Sequence, residues 1–271
     1  SQRNNMHLVL LAETQEGYEN LVKLVSTAHL EGVYYKPRID KALLRKYSKG
    51  LIGLSACLRG EVNEACMNGD LDKAIEQARE YSDILGENNF FLELQDHGIE
   101  EEKTARKNML KVAEATGLPL IATNDVHYVR KEHSEAHDVL ICLQRGDLVA
   151  DPNRHRYQGD QFYMKSGEEM AALFPDQPEA IANTVEIARR CNVEFFFPEK
   201  AEDLHFPQFP VPGGVNKKDY LIQLGKKGLK KLYDIEDIDH PKDEREQEIK
   251  DRFYYEVGVI EKTNYINYFL V

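Results

Sequence analysis

Hydrophobic positions in the first two-thirds of the chain alternate between short continuous runs and helical repeats. Continuous apolar runs predict buried strands, whereas apolar residues three and four positions apart predict amphipathic helices. The predicted strands are 7–12, 50–56, 89–95 and 118–123. The predicted helices are about 14–30, 41–47, 71–85 and 101–116. This alternation indicates an α/β fold whose parallel strands are joined by right-handed crossovers, in either an open sheet or a barrel.

The pattern changes after residue 128, where helices follow one another directly. Helices are predicted at 133–144, 166–174 and 178–191, with a hairpin-like segment at 156–164. A proline-rich, aromatic connector then precedes two charged amphipathic helices, at 217–233 and 242–262. Such a connector is typical of a domain boundary. We therefore expect a first domain over 1–206, a linker over 207–216 and the beginning of a second domain over 217–271.

The composition narrows the class of protein. In 271 residues, 47 Asp and Glu oppose 35 Lys and Arg, which gives a net charge of −12. Because such a surface repels phosphate, the charge argues against a self-sufficient nucleic-acid-binding protein. The four cysteines form no C-x-x-C pair, which indicates a reduced, cytoplasmic protein. No apolar run reaches the roughly 20 residues of a membrane helix, so no membrane association is expected.

The sharpest chemical signal is Asp125-Val-His127, directly after the strand predicted at 118–123. In extended backbone, positions i and i+2 project to the same face. A carboxylate and an imidazole that point together from the carboxyl end of a parallel strand suit a metal ion or an acid/base pair. The alternative is that Asp125 caps the next helix and His127 is an ordinary polar residue. The spacing leaves both interpretations open.

Other candidates are individually weak. Cys57 follows the strand at 50–56, where a thiolate could bind zinc, although a small buried hydrophobe is the commoner role. His7, at the head of its strand, says nothing by itself. Glu93 is a core-edge or a functional carboxylate, and His97 is interpreted as a turn residue.

A short basic and aromatic segment offers a possible phosphate contact. Lys36 and Arg38 follow two tyrosines in the sequence Tyr-Tyr-Lys-Pro-Arg. Cations interleaved with aromatic rings are typical of surfaces that bind a nucleic-acid backbone. The alternative is a loop that packs on its neighbours.

Taken in order, these motifs resemble the family of bacterial DNA polymerase III alpha subunits, the C-family replicative polymerases. The resemblance covers essentially the whole chain. The blocks that carry it include HLVLLA at 7–12, YYKPRID at 34–40, GLIGLSAC at 50–57, FLELQDHG at 91–98, ATNDVHY at 122–128 and PEAIANTVEIARRC at 178–191.

The resemblance implies a polymerase-and-histidinol-phosphatase (PHP) domain, a distorted (β/α)7 barrel with metal ions at the carboxyl ends of its strands. His7, Cys57, Asp125 and His127 match four of the family's ligand positions, for divalent ions of the zinc type or Mg/Mn. The family's earlier ligand motifs are not in this sequence, so we expect a barrel that lacks its N-terminal strands. An α-rich start of the polymerase palm follows. The palm's catalytic residues, which hold Mg, are expected beyond residue 271.

The implied function is template-directed DNA synthesis by a parent polymerase, with no catalytic residue for polymerisation in this segment. The PHP domain would support the palm and bind metal, the proofreading exonuclease subunit, or both. The alternative is a metal-dependent 3′–5′ exonuclease or phosphoesterase activity in the barrel itself. Implied partners are the proofreading exonuclease, other holoenzyme subunits and, through the rest of the parent, primer-template DNA. Alone, the segment is expected to be inactive as a polymerase and to retain metal weakly.

Overall fold

A computed structural model describes residues 5–197 and 207–271 of the protein. The chain divides into two compact units, Ser1–Glu194 and Phe195–Val271, called the first and second unit below. Residues 198–206, which contain the end of the first predicted domain, lie outside the described residues. The predicted boundaries therefore stay a prediction.

Strands occur in the first unit, in one four-stranded sheet and one small hairpin. In chain order they are β1 (Val9–Ala12), β2 (Val33–Tyr34), β3 (Lys36–Pro37), β4 (Leu51–Leu54), β5 (Phe90–Leu94) and β6 (Leu120–Ala122). The order in the main sheet is β1-β4-β5-β6, and β2 pairs with β3. Strands β4, β5 and β6 are parallel, as predicted.

Strand β1 runs antiparallel to β4, with Val9 opposite Leu54 and Ala12 opposite Leu51. The prediction of uniformly parallel strands is therefore wrong for β1. An unbroken apolar run fits a strand buried on both faces, but it carries no information about strand direction. The direction matters, because it brings the amino end of β1 to the carboxyl end of β4.

The described residues contain eleven α-helices. In chain order they are α1 (Gln15–Leu30), α2 (Lys41–Lys46), α3 (Glu61–Met67), α4 (Leu71–Leu85), α5 (Glu100–Thr116), α6 (Ser134–Arg145), α7 (Gly167–Leu173), α8 (Pro178–Arg190), α9 (Lys217–Tyr233), α10 (Glu244–Lys262) and α11 (Ile266–Leu270). Short 3₁₀ helices occur at Lys131–His133 and Pro212–Gly214. The mixed α/β fold is confirmed, and the seven-unit barrel stays a prediction.

Two details of the helical region differ from the sequence expectation. Helix α3 was not predicted, and residues 156–164 form no hairpin: Tyr163 instead makes an isolated bridge to Tyr128. Helix α3 is only seven residues long, and its N-terminal Gly60 supplies no side-chain cap. Both of the usual sequence signals for a helix, length and a capping residue, are therefore weak here.

The main sheet is buried on both faces, because successive side chains of a strand point to opposite sides. On one face, Phe90 and Leu92 of β5 share a hydrophobic cluster with Met109 of α5. On the other face, Phe91 packs in a cluster with Ile187 of α8. Burial of each such side chain contributes about 1.5–3 kcal/mol relative to exposure. The sheet therefore forms a firm base for the loops at its carboxyl edge.

Distant parts of the first unit are joined by polar contacts at the end of α8. The Arg190 Nε donates to Glu13 Oε1 at 2.8 Å, and the backbone N–H of Asn192 donates to the Glu13 carbonyl at 2.9 Å. Arg190 also donates to the carbonyl of Asn88 at 2.8 Å. These contacts fix α8 beside β1 and the segment before β5.

The second unit contains α9, α10 and α11. Phe209 stacks on Tyr220 of α9 with ring centroids 5.8 Å apart. Lys226 of α9 and Tyr254 of α10 both donate to the Asp239 carboxylate, which joins the two helices through the segment between them. None of the helices among the described residues combines the length and the apolar character needed to cross a membrane.

Candidate metal site

A cavity of about 620 Å³ lies at the carboxyl edge of the main sheet. Cys57 follows β4, Glu93 belongs to β5, and Asp125 follows β6, so three neighbouring strands contribute to its wall. His7 reaches the same cavity from the amino end of β1, because β1 is antiparallel to β4. Three of the four predicted metal ligands therefore line one cavity.

The first pair of predicted ligands is Cys57 and His7. Their Sγ and Nδ1 atoms are 3.6 Å apart. Burial raises the pKa of the Cys57 thiol, although the backbone N–H of Arg59 acts in the opposite direction. Burial and the charge of Arg59 lower the pKa of His7. In the metal-free chain both shifts favour a neutral thiol beside a neutral imidazole.

The second pair is Asp125 and His127, whose Oδ1 and Nε2 atoms are 3.4 Å apart. The expectation that the two side chains point together therefore agrees with the structure. His127 lines a different cavity, of about 520 Å³, together with His137 and Tyr157. The charge of Asp125 acts on both His7 and Cys57, so the two pairs lie within electrostatic range of each other.

The donor chemistry of these pairs fits a zinc-type ion, which prefers thiolate, imidazole and carboxylate ligands. Within residues 5–197 and 207–271, however, no three His, Cys, Asp or Glu side chains form a group that could hold a metal ion. The residues present thus fit part of a metal site, as two adjacent pairs of donors. The ligand assignment of His7, Cys57, Asp125 and His127 stays a prediction.

The loop that carries Asp125 rests on a buried histidine, His97. Its Nδ1 lies 2.7 Å from Glu102 Oε1, and Glu102 Oε2 accepts the His97 backbone N–H at 2.6 Å. Its Nε2 lies 3.1 Å from Asn124 Oδ1 and 3.2 Å from the backbone nitrogen of Asp125. The ring also stacks on Phe162, with centroids 4.4 Å apart. His97 lies in a bend, as predicted, but it is a buried support of the site.

Glu93 is the buried carboxyl group of the cavity wall. Its Oε1 accepts hydrogen bonds from Thr123 Oγ1 and, at 3.3 Å, from Gln95 Nε2. Its Oε2 has no hydrogen-bond partner among the described residues. Burial raises the pKa of this carboxyl, and the charge of Asp125 adds to the effect. The structure thus favours a protonated Glu93 more than the unfolded chain does.

We expect Glu93→Gln to stabilise the metal-free chain at pH 7. A carboxyl whose pKa is raised on folding contributes stability at pH values below its unfolded pKa, and that contribution is lost as the pH rises through the folded pKa. The neutral amide avoids this loss, so the advantage of the variant should disappear below about pH 4.5, the ordinary pKa of a glutamate. Urea unfolding in EDTA between pH 4 and 8 measures the difference. Glu100→Gln, on the exposed first turn of α5, is the control, and a less stable Glu93→Gln at pH 7 contradicts the expectation.

Comparison with known proteins shows which proteins the chain is similar to. Residues 1–97 match the family model of the PHP domain. The chain is 41% identical to the DNA polymerase III subunit alpha of Treponema pallidum over 270 residues, which is 99% of the chain and 22% of that relative. The chain matches a PHP-domain segment of DNA polymerase III alpha subunits.

Other similar proteins are likewise DNA polymerase III alpha subunits. The DNA polymerase III subunit alpha of Thermus aquaticus is 43% identical over 230 residues, 84% of the chain and 19% of the relative. That of Helicobacter pylori is 37% identical over 289 aligned positions, 99% of the chain and 23% of the relative. The chain spans about a fifth of the length of the curated relatives that it matches.

The structure brings three further residues to the candidate site, of which the sequence left Glu93 undecided and predicted His97 to be a turn residue. Arg59 lines the cavity two residues after Cys57, Glu93 is a buried wall residue, and His97 supports the Asp125 loop. Lys36 and Arg38 line the same cavity from β3 and the residue after it. Only Glu93 carried a signal in the sequence, as a carboxylate within an apolar strand.

Proposed function

We propose that the chain is part of a replicative DNA polymerase III alpha subunit, and that its own cavity is a metal-dependent 3′–5′ exonuclease or phosphoesterase site. The similarity to alpha subunits along almost the whole chain supports the first part. In this proposal DNA synthesis and its Mg ions belong to other regions of the parent, and the protein works in the cytoplasm with the other subunits of the holoenzyme.

The observation that carries the second part is the composition of the cavity wall. Side chains of the types that bind metal ions, His7, Cys57 and Asp125, line the same cavity as the two cations Lys36 and Arg38. His7 with Cys57, and Asp125 with His127, would hold the ions. A bound zinc-type ion lowers the pKa of its water and polarises a phosphoryl oxygen.

The remaining roles belong to the chain's own groups. Lys36 and Arg38 would hold the negatively charged phosphodiester at the cavity, since cations lower the cost of placing it beside Asp125. Burial raises the pKa of Glu93, so this carboxyl is protonated more readily than an exposed glutamate would be. A protonated carboxyl in the wall of a hydrolytic site can act as a general acid towards a leaving oxygen.

The test uses the parent subunit, in which residues outside this chain can complete the ligand set. We expect Asp125→Ala combined with His127→Ala to lose bound zinc and to release mononucleotides from a labelled single strand at less than about 1% of the wild-type rate, since removal of ligands abolishes both the ion and its activated water. Metal analysis and single-turnover hydrolysis measure the two effects.

A matched control exists in the second unit. His240 Nδ1 and Asp237 Oδ2 form an exposed His–Asp pair at 2.9 Å, remote in sequence from the cavity residues. Asp237→Ala combined with His240→Ala should keep both zinc and hydrolysis. Hydrolysis that survives in the Asp125/His127 variant, or zinc binding by wild-type protein with no hydrolysis, would contradict the exonuclease proposal.

A second candidate function is a docking platform for the proofreading exonuclease subunit. It is favoured by exposed leucines on and after α6: Leu140, Leu143 and Leu148 are 61%, 75% and 75% exposed. Exposed apolar residues in a cluster are typical of protein–protein contact surfaces. If the chain is a docking platform, Leu140→Asp combined with Leu143→Asp should abolish binding of the proofreading exonuclease subunit. The Asp125/His127 variant should still bind that subunit. Unchanged binding by the leucine variant would exclude this surface.

A further inference from the structure

The hairpin formed by β2 and β3 presents an aromatic ring at the cavity. Tyr35 lies between the two strands, lines the cavity and is 71% exposed. Its φ is +63°, in the left-handed region. For a bulky residue this conformation is strained. Conformational strain combined with exposure at a cavity points to a binding role.

The neighbouring side chains hold this hairpin in place. The Tyr34 ring contacts Tyr35 edge-on, with centroids 4.9 Å apart. The Arg38 guanidinium lies over the Tyr34 ring at 4.9 Å and also donates to the Tyr34 carbonyl. Arg38 and Tyr34 therefore brace the turn that carries Tyr35.

Two further cationic side chains line the cavity and, unlike Arg38, are not engaged with Tyr34. Lys36 follows Tyr35 directly, and Arg59 follows β4. The charges of both act on His7, so both lie close to the Cys57–His7 pair. Among residues 5–197 and 207–271, neither Lys36 nor Arg59 forms an ion pair. Their charges are available to an anion in the cavity.

We infer that this wall of the cavity is a binding site for single-stranded DNA, in which Tyr35 stacks on an unpaired base while Lys36 and Arg59 hold the adjoining phosphate. The choice of DNA as the nucleic acid rests on the proposed function. Stacking requires a base whose face is accessible, which a single strand offers and an intact duplex does not. These cations make this wall of the cavity locally positive, although the chain as a whole has a net charge of −12.

The inference is tested with the 271-residue chain and without metal. Fluorescence anisotropy in EDTA compares a labelled dT 12-mer with a 12-mer of abasic sites that carries the same phosphates. EDTA separates binding from hydrolysis, so the two proposals can fail independently. If the chain binds the dT 12-mer through Tyr35 but the zinc-loaded parent subunit never hydrolyses a single strand, the inference is retained and the exonuclease function is rejected.

We expect Tyr35→Ala to weaken binding of the dT 12-mer about 10-fold, in line with the loss of one base–aromatic stack, and to leave binding of the abasic 12-mer unchanged. Lys36→Gln and Arg59→Gln should each weaken the binding of both oligomers. Each should also reduce the slope of log K against log salt by about 0.7. Tyr255→Ala, at a 63% exposed tyrosine of the second unit, is the control and should change neither affinity.

Tyr35→Asn separates binding from folding. Asn tolerates the left-handed conformation, so this variant should melt at the wild-type temperature or a few degrees above it, while binding the dT 12-mer as weakly as Tyr35→Ala. Three results would overturn the inference: no binding of the dT 12-mer at low salt, wild-type affinity in both Tyr35 variants, or an equal loss for the dT and abasic oligomers.

Discussion

Replacement of His97 by alanine is expected to lower the melting temperature of the first unit by about 10 °C. The His97 and Glu102 side chains are 1% and 7% exposed, and their contact is only 2.7 Å long. Removal of the imidazole leaves the Glu102 carboxylate buried with one donor fewer, for which the cost is about 3–5 kcal/mol. At about 2–4 °C per kcal/mol for a unit of this size, this cost corresponds to a shift of about 6–20 °C.

The fall in melting temperature should be specific to the buried contact between His97 and Glu102. In His97→Asn the amide nitrogen occupies nearly the position of Nδ1 and can still donate to Glu102, so part of the stability should return. His240→Ala removes an exposed histidine from a similar contact with Asp237 and should leave the melting temperature unchanged. Thermal unfolding followed by circular dichroism measures all three variants. Equal shifts in melting temperature for His97→Ala and His240→Ala would show that burial does not determine how much stability is lost when the histidine is removed.

His97→Ala should also loosen the loop of the candidate site. The His97 Nε2 faces the backbone nitrogen of Asp125 at 3.2 Å and Asn124 Oδ1 at 3.1 Å. In hydrogen exchange, the Asp125 amide should therefore lose protection beyond the loss caused by lower global stability. Double-mutant analysis with Glu102→Ala should give a non-additive result, since the two side chains contact each other.

Replacement of Gly17 by alanine is expected to destabilise the first unit by about 2–3 kcal/mol, through overpacking against rigid backbone. A Cβ at Gly17 would lie 1.8 Å from the carbonyl oxygen of Gly50, so the first turn of α1 and the turn before β4 would have to separate. Gly50 itself has a φ of +72° and cannot easily adjust. The Glu13 N–H donates to the same carbonyl at 2.9 Å, so the clash also disturbs the junction of β1 and β4.

Gly228→Ala in α9 is the matched control for this substitution. Apart from its chain neighbours and the nearby backbone of its own helix, no atom lies within 4 Å of a Cβ built at Gly228, which lies inside α9. There alanine should stabilise by about 0.5–1 kcal/mol, because it restricts the unfolded chain and favours the helix. Chemical denaturation gives both values. If Gly17→Ala also stabilises the chain, the close approach of α1 to Gly50 is not maintained in solution.

The elements of the fold were largely predictable because hydrophobic periodicity is a local property. Helices α4 and α9 begin and end at the predicted residues. The antiparallel direction of β1 was not predictable, since it depends on the path of about 40 residues between β1 and β4. Helix α3 was missed for the related reason that its stability comes from packing against α4 and α5.

The candidate site was predictable only where residues are neighbours in sequence. Asp125 and His127 are two positions apart and do point together. Cys57 and His7 are 50 positions apart, and the family resemblance suggested them as ligands where spacing could not. His97 was taken for a turn residue because its contacts with Asn124 and Asp125 span 27 and 28 positions. Long-range burial of this kind leaves no pattern in a single sequence.

The contact between Glu13 and Arg190 has a consequence for the order of folding during synthesis. Its two residues are 177 positions apart, so it can form only when nearly the whole first unit has left the ribosome. The parallel strands β4, β5 and β6, linked by α4 and α5, can assemble earlier from local contacts. Closure of so long a loop is disfavoured by chain entropy, and the docking of α8 beside Glu13 is expected to be a late event. A nascent chain stopped before α8 would therefore have β1 paired with β4, and His7 beside Cys57, but would lack the Arg190 contact at the end of β1.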